Sequence, residues 1–173
     1  MSVENTAAQT LETKNQPATQ KIDNSAEERK ASRVMRLKDE FKSAIKSKKA
    51  DWILTMSKDE PYGISLVTWK LGNKQVQMVA HDYETVEEAS RPFHIAVDCQ
   101  TCSLKIPQKG FGDESYLMSS FYEKEGKMYL TFRSGNYLIS LTGTKDDIFS
   151  FAKIISDTIS EKNKSVQEAP EDK

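Results

Sequence analysis

Apolar residues along this chain repeat with two periods, and the switches between those periods lay out its elements. Val34, Leu37, Phe41 and Ile45 recur at three- and four-residue steps, which places them on one face of a helix. Ser25 stands three residues before Glu28, a capping-box spacing in which each side chain can meet the other residue's free backbone N–H. That spacing opens the helix. Lys42, Lys46, Lys48 and Lys49 crowd its opposite face toward the C-terminal end, where cations complement the helix dipole. Such a run is either a solvated face or a docking patch for an acidic partner.

Strand-like patterns follow. Residues 52–56 are apolar, Pro61-Tyr62-Gly63 turns the chain, and the stretch from Ile64 to Leu71 is rich in β-formers. Gly72-Asn73 is a two-residue hairpin signal, because glycine accepts the positive φ of a tight reversing turn. In the return strand, 74–80, Val76, Met78 and Ala80 alternate inward. Thr85 and Glu88 form a second capping box and start a helix through EEASRPFHIAV, which Pro92 should kink or break near Arg91.

The second half repeats this plan. Residues 115–122 read as a strand, EKEG as a turn, and 128–133 as a strand in which Met128, Leu130 and Phe132 alternate with Tyr129, Thr131 and Arg133. Gly135-Asn136 reverses the chain into a return strand over 137–141. Thr144 with Asp147 opens a helix whose stripe is Ile148, Phe151, Ile155 and Ile159. The halves therefore share a pseudo-repeat of strands, Gly-Asn turn, return strand and Thr-capped helix. The order α-βββ-α-βββ-α predicts an α+β domain, a mostly antiparallel sheet of about six strands with flanking helices.

Composition changes this picture mainly at the ends. Hydrophobic residues make up 37% of the 173, below the usual globular share, and the deficit lies at the two termini. Residues 1–24 are rich in Ala, Thr, Gln, Asn and Glu and hold no aromatic residue, which predicts a flexible tether. A single domain over 25–161 and a disordered tail over 162–173 complete the expected layout. Charge is balanced, 25 Lys+Arg against 26 Asp+Glu for a net of -1, which gives no global attraction to nucleic acid or anionic membrane. No apolar run reaches the roughly 18 residues of a transmembrane helix. The opening MSVENTAAQTLETKNQ lacks the basic and apolar regions of a secretory signal. The chain is then either cytosolic or preceded by a removed leader.

Candidate chemistry is sparse. Cys99 and Cys102 are the only cysteines, in FHIAVDCQTCSLKIP. A thioredoxin-type centre needs its C-x-x-C to open a helix, so that the dipole lowers the thiol pKa, and SLKIP is too short and Pro-limited to be one. A c-type haem site needs His after the second Cys, where Ser103 stands. His81, His94, Cys99 and Cys102 form an H-x12-H-x4-C-x2-C string with zinc-type ligands, but no compact knuckle joins them. Two readings remain open: a short-range disulfide in an oxidising compartment, or two free thiols. GFGDESY, from Gly110 to Tyr116, places Asp113 and Glu114 in a glycine turn. A phosphate loop would open a helix and a calcium loop would need more oxygen ligands, so the simpler reading has Phe111 packing inward and the carboxylates capping or facing water. No triad, paired acid/base carboxylates or G-x-S-x-G is visible, and no cofactor is expected.

GFGDESY followed by TFRSGNYLISLTG resembles a group of uncharacterised bacterial extracytoplasmic domains, small secreted or lipoprotein domains. They share a Gly-x-Gly-Asp-Glu turn, a strand, an Arg-x-Gly-Asn hairpin and a glycine before the last helix. The resemblance covers the last third of the chain, and the first helix and Asp51-Trp52 more loosely; it implies no established activity. The order of strands and helices is also similar to the PsbP-like α/β/α sandwich, a fold used for binding. The C-x-x-C departs from the shared pattern.

The resulting expectation is a non-enzymatic, periplasmic or secreted domain that binds an unidentified protein or small ligand, with room for an upstream lipid or membrane tether. Trp52, Tyr62, Trp69 and Tyr83 would serve as its aromatic anchors if exposed, and as core if buried. Its rival is a thiol- or zinc-dependent enzyme centred on Cys99 and Cys102, with a cytoplasmic location as the alternative.

Overall fold

The computed structural model describes residues 38–60, 63–98, 102–120 and 126–167. Helix α1 covers 38–48 of these. It is followed by β1 (Ile53–Glu60), β2 (Ile64–Leu71), β3 (Lys74–Asp82), α2 (Val86–Val97), β4 (Cys102–Pro107), β5 (Glu114–Ser120), β6 (Met128–Ser134), β7 (Tyr137–Gly143) and α3 (Lys145–Gln167). The chain is thus α+β, with seven strands in one sheet of order β1-β2-β3-β7-β6-β5-β4. Every neighbouring pair runs antiparallel.

The strand beyond the expected six is β4. Its SLKIP core looks irregular in sequence because it ends on proline. At a sheet edge, however, the missing N–H of Pro107 breaks no ladder. The topology also gives the pseudo-repeat a spatial form. One meander runs inward from β1 to β3, the other from β4 to β7, and their last strands pair at the centre, Met78 opposite Leu141.

Both Gly-Asn turns form as read. Leu71 pairs with Lys74 and Ser134 with Tyr137, each across two residues, and Gly135 takes a φ of 59°. Alternation along the strands then sorts side chains to two faces. Val67, Trp69, Val76, Met78, Leu130, Phe132, Ile139 and Leu141 meet Phe41 and Ile45 of α1 and Ile148, Phe151, Ile155 and Ile159 of α3 in one core. On the opposite face Phe93 and Val97 of α2 pack with Met118, against Tyr116, Tyr129 and Leu138. Helices therefore lie on both faces, but α2 covers only the β5–β7 side of its own.

Two local expectations need correction. Pro92 does not break α2, which runs as one helix from Val86 to Val97. Tertiary packing of Ala89, Phe93 and Val97 on either side of the proline holds the helix together across the lost backbone bond. The Thr85 cap also differs in one detail. Thr85 Oγ1 accepts from the Glu88 N–H at 3.1 Å, but Glu88 Oε2 accepts from Glu84 N–H, at 3.1 Å, one residue further back. At α3, the Thr144 hydroxyl donates to Asp147 Oδ2 at 2.5 Å. This helix continues past Glu161 to Gln167, and Lys162 reaches both carboxylate oxygens of Glu40 at 3.0 Å, joining α3 to α1. The first capping box, Val34, Leu37, Pro61, Tyr62 and residues 121–125 lie outside the described residues.

Candidate functional site

The two conspicuous sequence strings meet at one end of the sheet. Gly112 precedes β5, and Arg133 lies near the end of β6, paired through the Glu114–Arg133 register. The Asp113 N–H donates to Arg133 O at 2.8 Å, and the Gly112 N–H donates to Ser156 Oγ of α3 at 3.1 Å. Arg133, only 8% exposed, sends Nη1 to Asp113 Oδ2 at 3.1 Å and to Gly135 O at 3.0 Å, while Nη2 reaches Glu114 Oε1 at 3.4 Å. Asp113 Oδ2 also accepts from the Gly135 N–H at 2.8 Å. Beyond the hairpin, Asn136 Nδ2 donates to Asp82 Oδ1 at 2.7 Å and to Tyr83 O at 2.6 Å. One knot thus joins β3, β5, the β6–β7 turn and α3.

This geometry decides what the carboxylates do. Asp113 and Glu114 converge on one buried guanidinium, the pairing that lets that charge lie within the fold. Glu114 Oε2 accepts no hydrogen bond among the described residues and faces His94 Nε2 at 3.9 Å. Phe111 packs inward against Phe149, with ring centroids 5.3 Å apart. Asp113 and Glu114, weak binding candidates in the sequence, are here spent on an internal ion pair.

The other candidates separate. Trp52 and Trp69 are buried and edge-on to Phe151, at 5.0 and 5.3 Å, so they belong to the core. Tyr83 is half-buried and stacked on His81 at 4.0 Å, and burial pushes its hydroxyl pKa up. Tyr62 lies outside the described residues. His81 sits on β3 and His94 on the exposed side of α2. Among the described residues no three His, Cys, Asp or Glu side chains gather as a metal set. Cys102 heads β4 and packs against the α2 cluster, and no described cysteine is free. Cys99 lies outside the described residues, so the C-x-x-C pair is only half in view.

A concave surface that the sequence does not announce lies between α1 and β1. It is a groove of about 540 Å³, with Lys42, Ser43 and Lys46 on the helix wall, and Ile53, Leu54 and the Trp edges on the sheet side. Ile53 is 68% exposed and Leu54 44%, because β1 is an edge strand that no described helix covers on its outer side. The only sequence signal is the apolar run over 52–56 directly after a lysine-rich helix end. At the other end of β1, Lys38 of α1 pairs with Asp59, which also accepts from Ser65 Oγ at 2.9 Å.

Fold and site together define a class: an antiparallel α+β domain with helices on both faces and an apolar groove beside one edge strand. No family model and no curated protein matches the sequence. Among solved structures, a GTP-binding regulator from Thermotoga maritima is similar in fold, with a TM-score of 0.50 over 70% of this chain and 85% of that one, at 13% identity. At that identity the likeness is one of fold. No described helix is long and apolar enough to cross a membrane.

Proposed function

We propose that this chain is a non-catalytic binding domain that works outside the reducing cytosol and takes a protein segment or small ligand in the α1–β1 groove. The observation that carries the reading is the groove itself, which exposed Ile53 and Leu54 line together with the buried Trp52 and Trp69, Leu54 lying opposite Trp69 in the ladder. Exposed apolar side chains around a concavity gain free energy when a ligand removes them from water. The polar knot at the opposite end of the sheet supports the reading differently. Its donors and acceptors are largely turned on one another, so it acts as a brace and leaves recognition to the groove. The meeting of the Gly-x-Gly-Asp-Glu and Arg-x-Gly-Asn motifs in that knot supports kinship with the bacterial extracytoplasmic domains. GTP is not carried over from the Thermotoga protein, because at 13% identity the likeness is one of fold alone.

Intrinsic fluorescence tests the groove directly, since both tryptophans of the chain line it. A library of small apolar and amphipathic fragments should include members that shift the emission. Filling the groove with Ser43→Phe should abolish those shifts while leaving the melting temperature in place. A library that moves neither tryptophan would sink the reading.

For the compartment, we propose a Cys99–Cys102 disulfide. Unreduced, denatured protein should then give no thiol titre, with both thiols appearing after reduction. Reactive thiols without reductant, or bound zinc in the purified protein, would turn the case toward the thiol or zinc centre.

A further inference from the structure

We propose that the α1–β1 groove takes an acidic protein segment that inserts one large apolar side chain; this rests on the binding-domain reading above. The floor is rigid, because Phe151 holds both indoles edge-on from beneath. Ile53 and Leu54 frame the mouth, so the space suits a bulky apolar group. The helix wall supplies the charge. Lys42 and Lys46 line the groove and Lys48 and Lys49 follow, against Asp39, which also lines it, and Glu40 and Asp51 nearby in sequence, Glu40 being met by Lys162. Asp39 is already met by Lys42 at 2.5 Å, and Lys46 has no ion-pair partner among the described residues. A chain with a net charge of -1 therefore carries a local basic excess beside an exposed apolar surface. Charge complementarity then selects acidic side chains flanking the inserted group.

The geometry favours a protein segment over two other anionic partners. A bilayer surface would require apolar groups that project, and here the indoles lie at the bottom of a concavity. A nucleic acid would require aromatic faces open for stacking, and Trp52 and Trp69 are 9% and 2% exposed.

The test uses the full chain and a short synthetic peptide rich in glutamate with one central phenylalanine, read by tryptophan emission. Controls replace each glutamate by lysine, or the phenylalanine by alanine. The glutamate peptide should shift the emission, with affinity falling steeply as salt rises. The variant K42E/K46E should bind it at least about tenfold more weakly, its fold confirmed by an unchanged circular dichroism spectrum. Leu54→Ala should weaken binding and leave the salt slope in place. Equal binding of the lysine peptide, or undiminished binding by K42E/K46E, overturns the acidic partner while the groove stands as a binding site. A response to vesicles containing phosphatidylglycerol but not to peptide overturns it in favour of a membrane surface. A concentration-dependent shift without peptide, with dimers in sedimentation, gives the groove to a second copy and also overturns it. No response to any peptide, vesicle or fragment removes this proposal together with the reading on which it rests.

Discussion

Gly112 shows how much of the polar knot hangs on one missing side chain. Its φ is 61°, and a Cβ there would lie 2.2 Å from Arg133 O, with Ser134 Cβ at 3.1 Å. The obstruction is backbone, which cannot swing aside as a flexible side chain would. The Asp113 N–H bond to Arg133 O and the Asp113–Arg133 ion pair both need this approach. Gly112→Ala should therefore cost about 2–4 kcal/mol, a strained backbone together with the parting of β5 from the hairpin. Gly110 gives the matched control, with φ of 88° and nothing within 4 Å of its missing Cβ. Gly110→Ala should cost only about 1–2 kcal/mol, the left-handed penalty alone. Equal losses in urea denaturation would mean that the close approach at Gly112 is not what matters. In the sequence the two glycines look equivalent. Only the second is pressed against another strand, a distance that no local pattern reports.

Among the elements, α2 gives the clearest case of local rules overridden by packing. Proline at position 92 offers no N–H to the Glu88 carbonyl, and its ring crowds that turn. The sequence rule predicts a kink or a break near Arg91, and no break occurs. The helix persists because Phe93 and Val97 are buried against Met118 and Tyr129 across the same stretch. It persists at a cost, so Pro92→Ala should stabilise the domain. Restoring the hydrogen bond is worth up to about 3 kcal/mol, set against the looser unfolded chain, for a net gain of about 1–2 kcal/mol. A rise in melting temperature would show it, whereas a fall would mean that the half-buried ring packs too well to lose. Elsewhere the elements were readable for the reasons that made α2 misleading. Gly72-Asn73 and Gly135-Asn136 set their hairpins through backbone conformation, and the α3 stripe sets its face through periodicity. Both signals are local. The strand β4 and the groove were not readable: one is an edge that exists only because β5 offers a ladder, and the other is a space between elements.

For the molecule as a whole, an ion pair between α1 and β1 helps to fasten the first helix to the sheet. Lys38 is 7% exposed and its ammonium meets Asp59 at the far end of β1 from the groove. Burial favours the protonated Asp59 carboxyl. Hydrogen bonds from Lys38 and Ser65, with the charges of Lys38 and Lys42, outweigh that effect and hold its pKa below the ordinary value. The sign follows by linkage. A carboxyl whose folded pKa is depressed adds stability above its unfolded pKa of about 3.9, and that contribution fades as pH falls through the folded value. Asp59→Asn should thus be less stable than the parent at neutral pH, by about 1–2 kcal/mol, discounted because Asp59 is more than a third exposed. The gap should begin to close as pH drops below about 4 and vanish once it has passed the lowered folded pKa, since acid removes from the parent the charge that the variant already lacks. Denaturation series at neutral and acid pH measure this directly. A gap that stays constant with pH would mean that Lys38 is held by packing of its stem, and that the link between α1 and β1 is apolar rather than ionic.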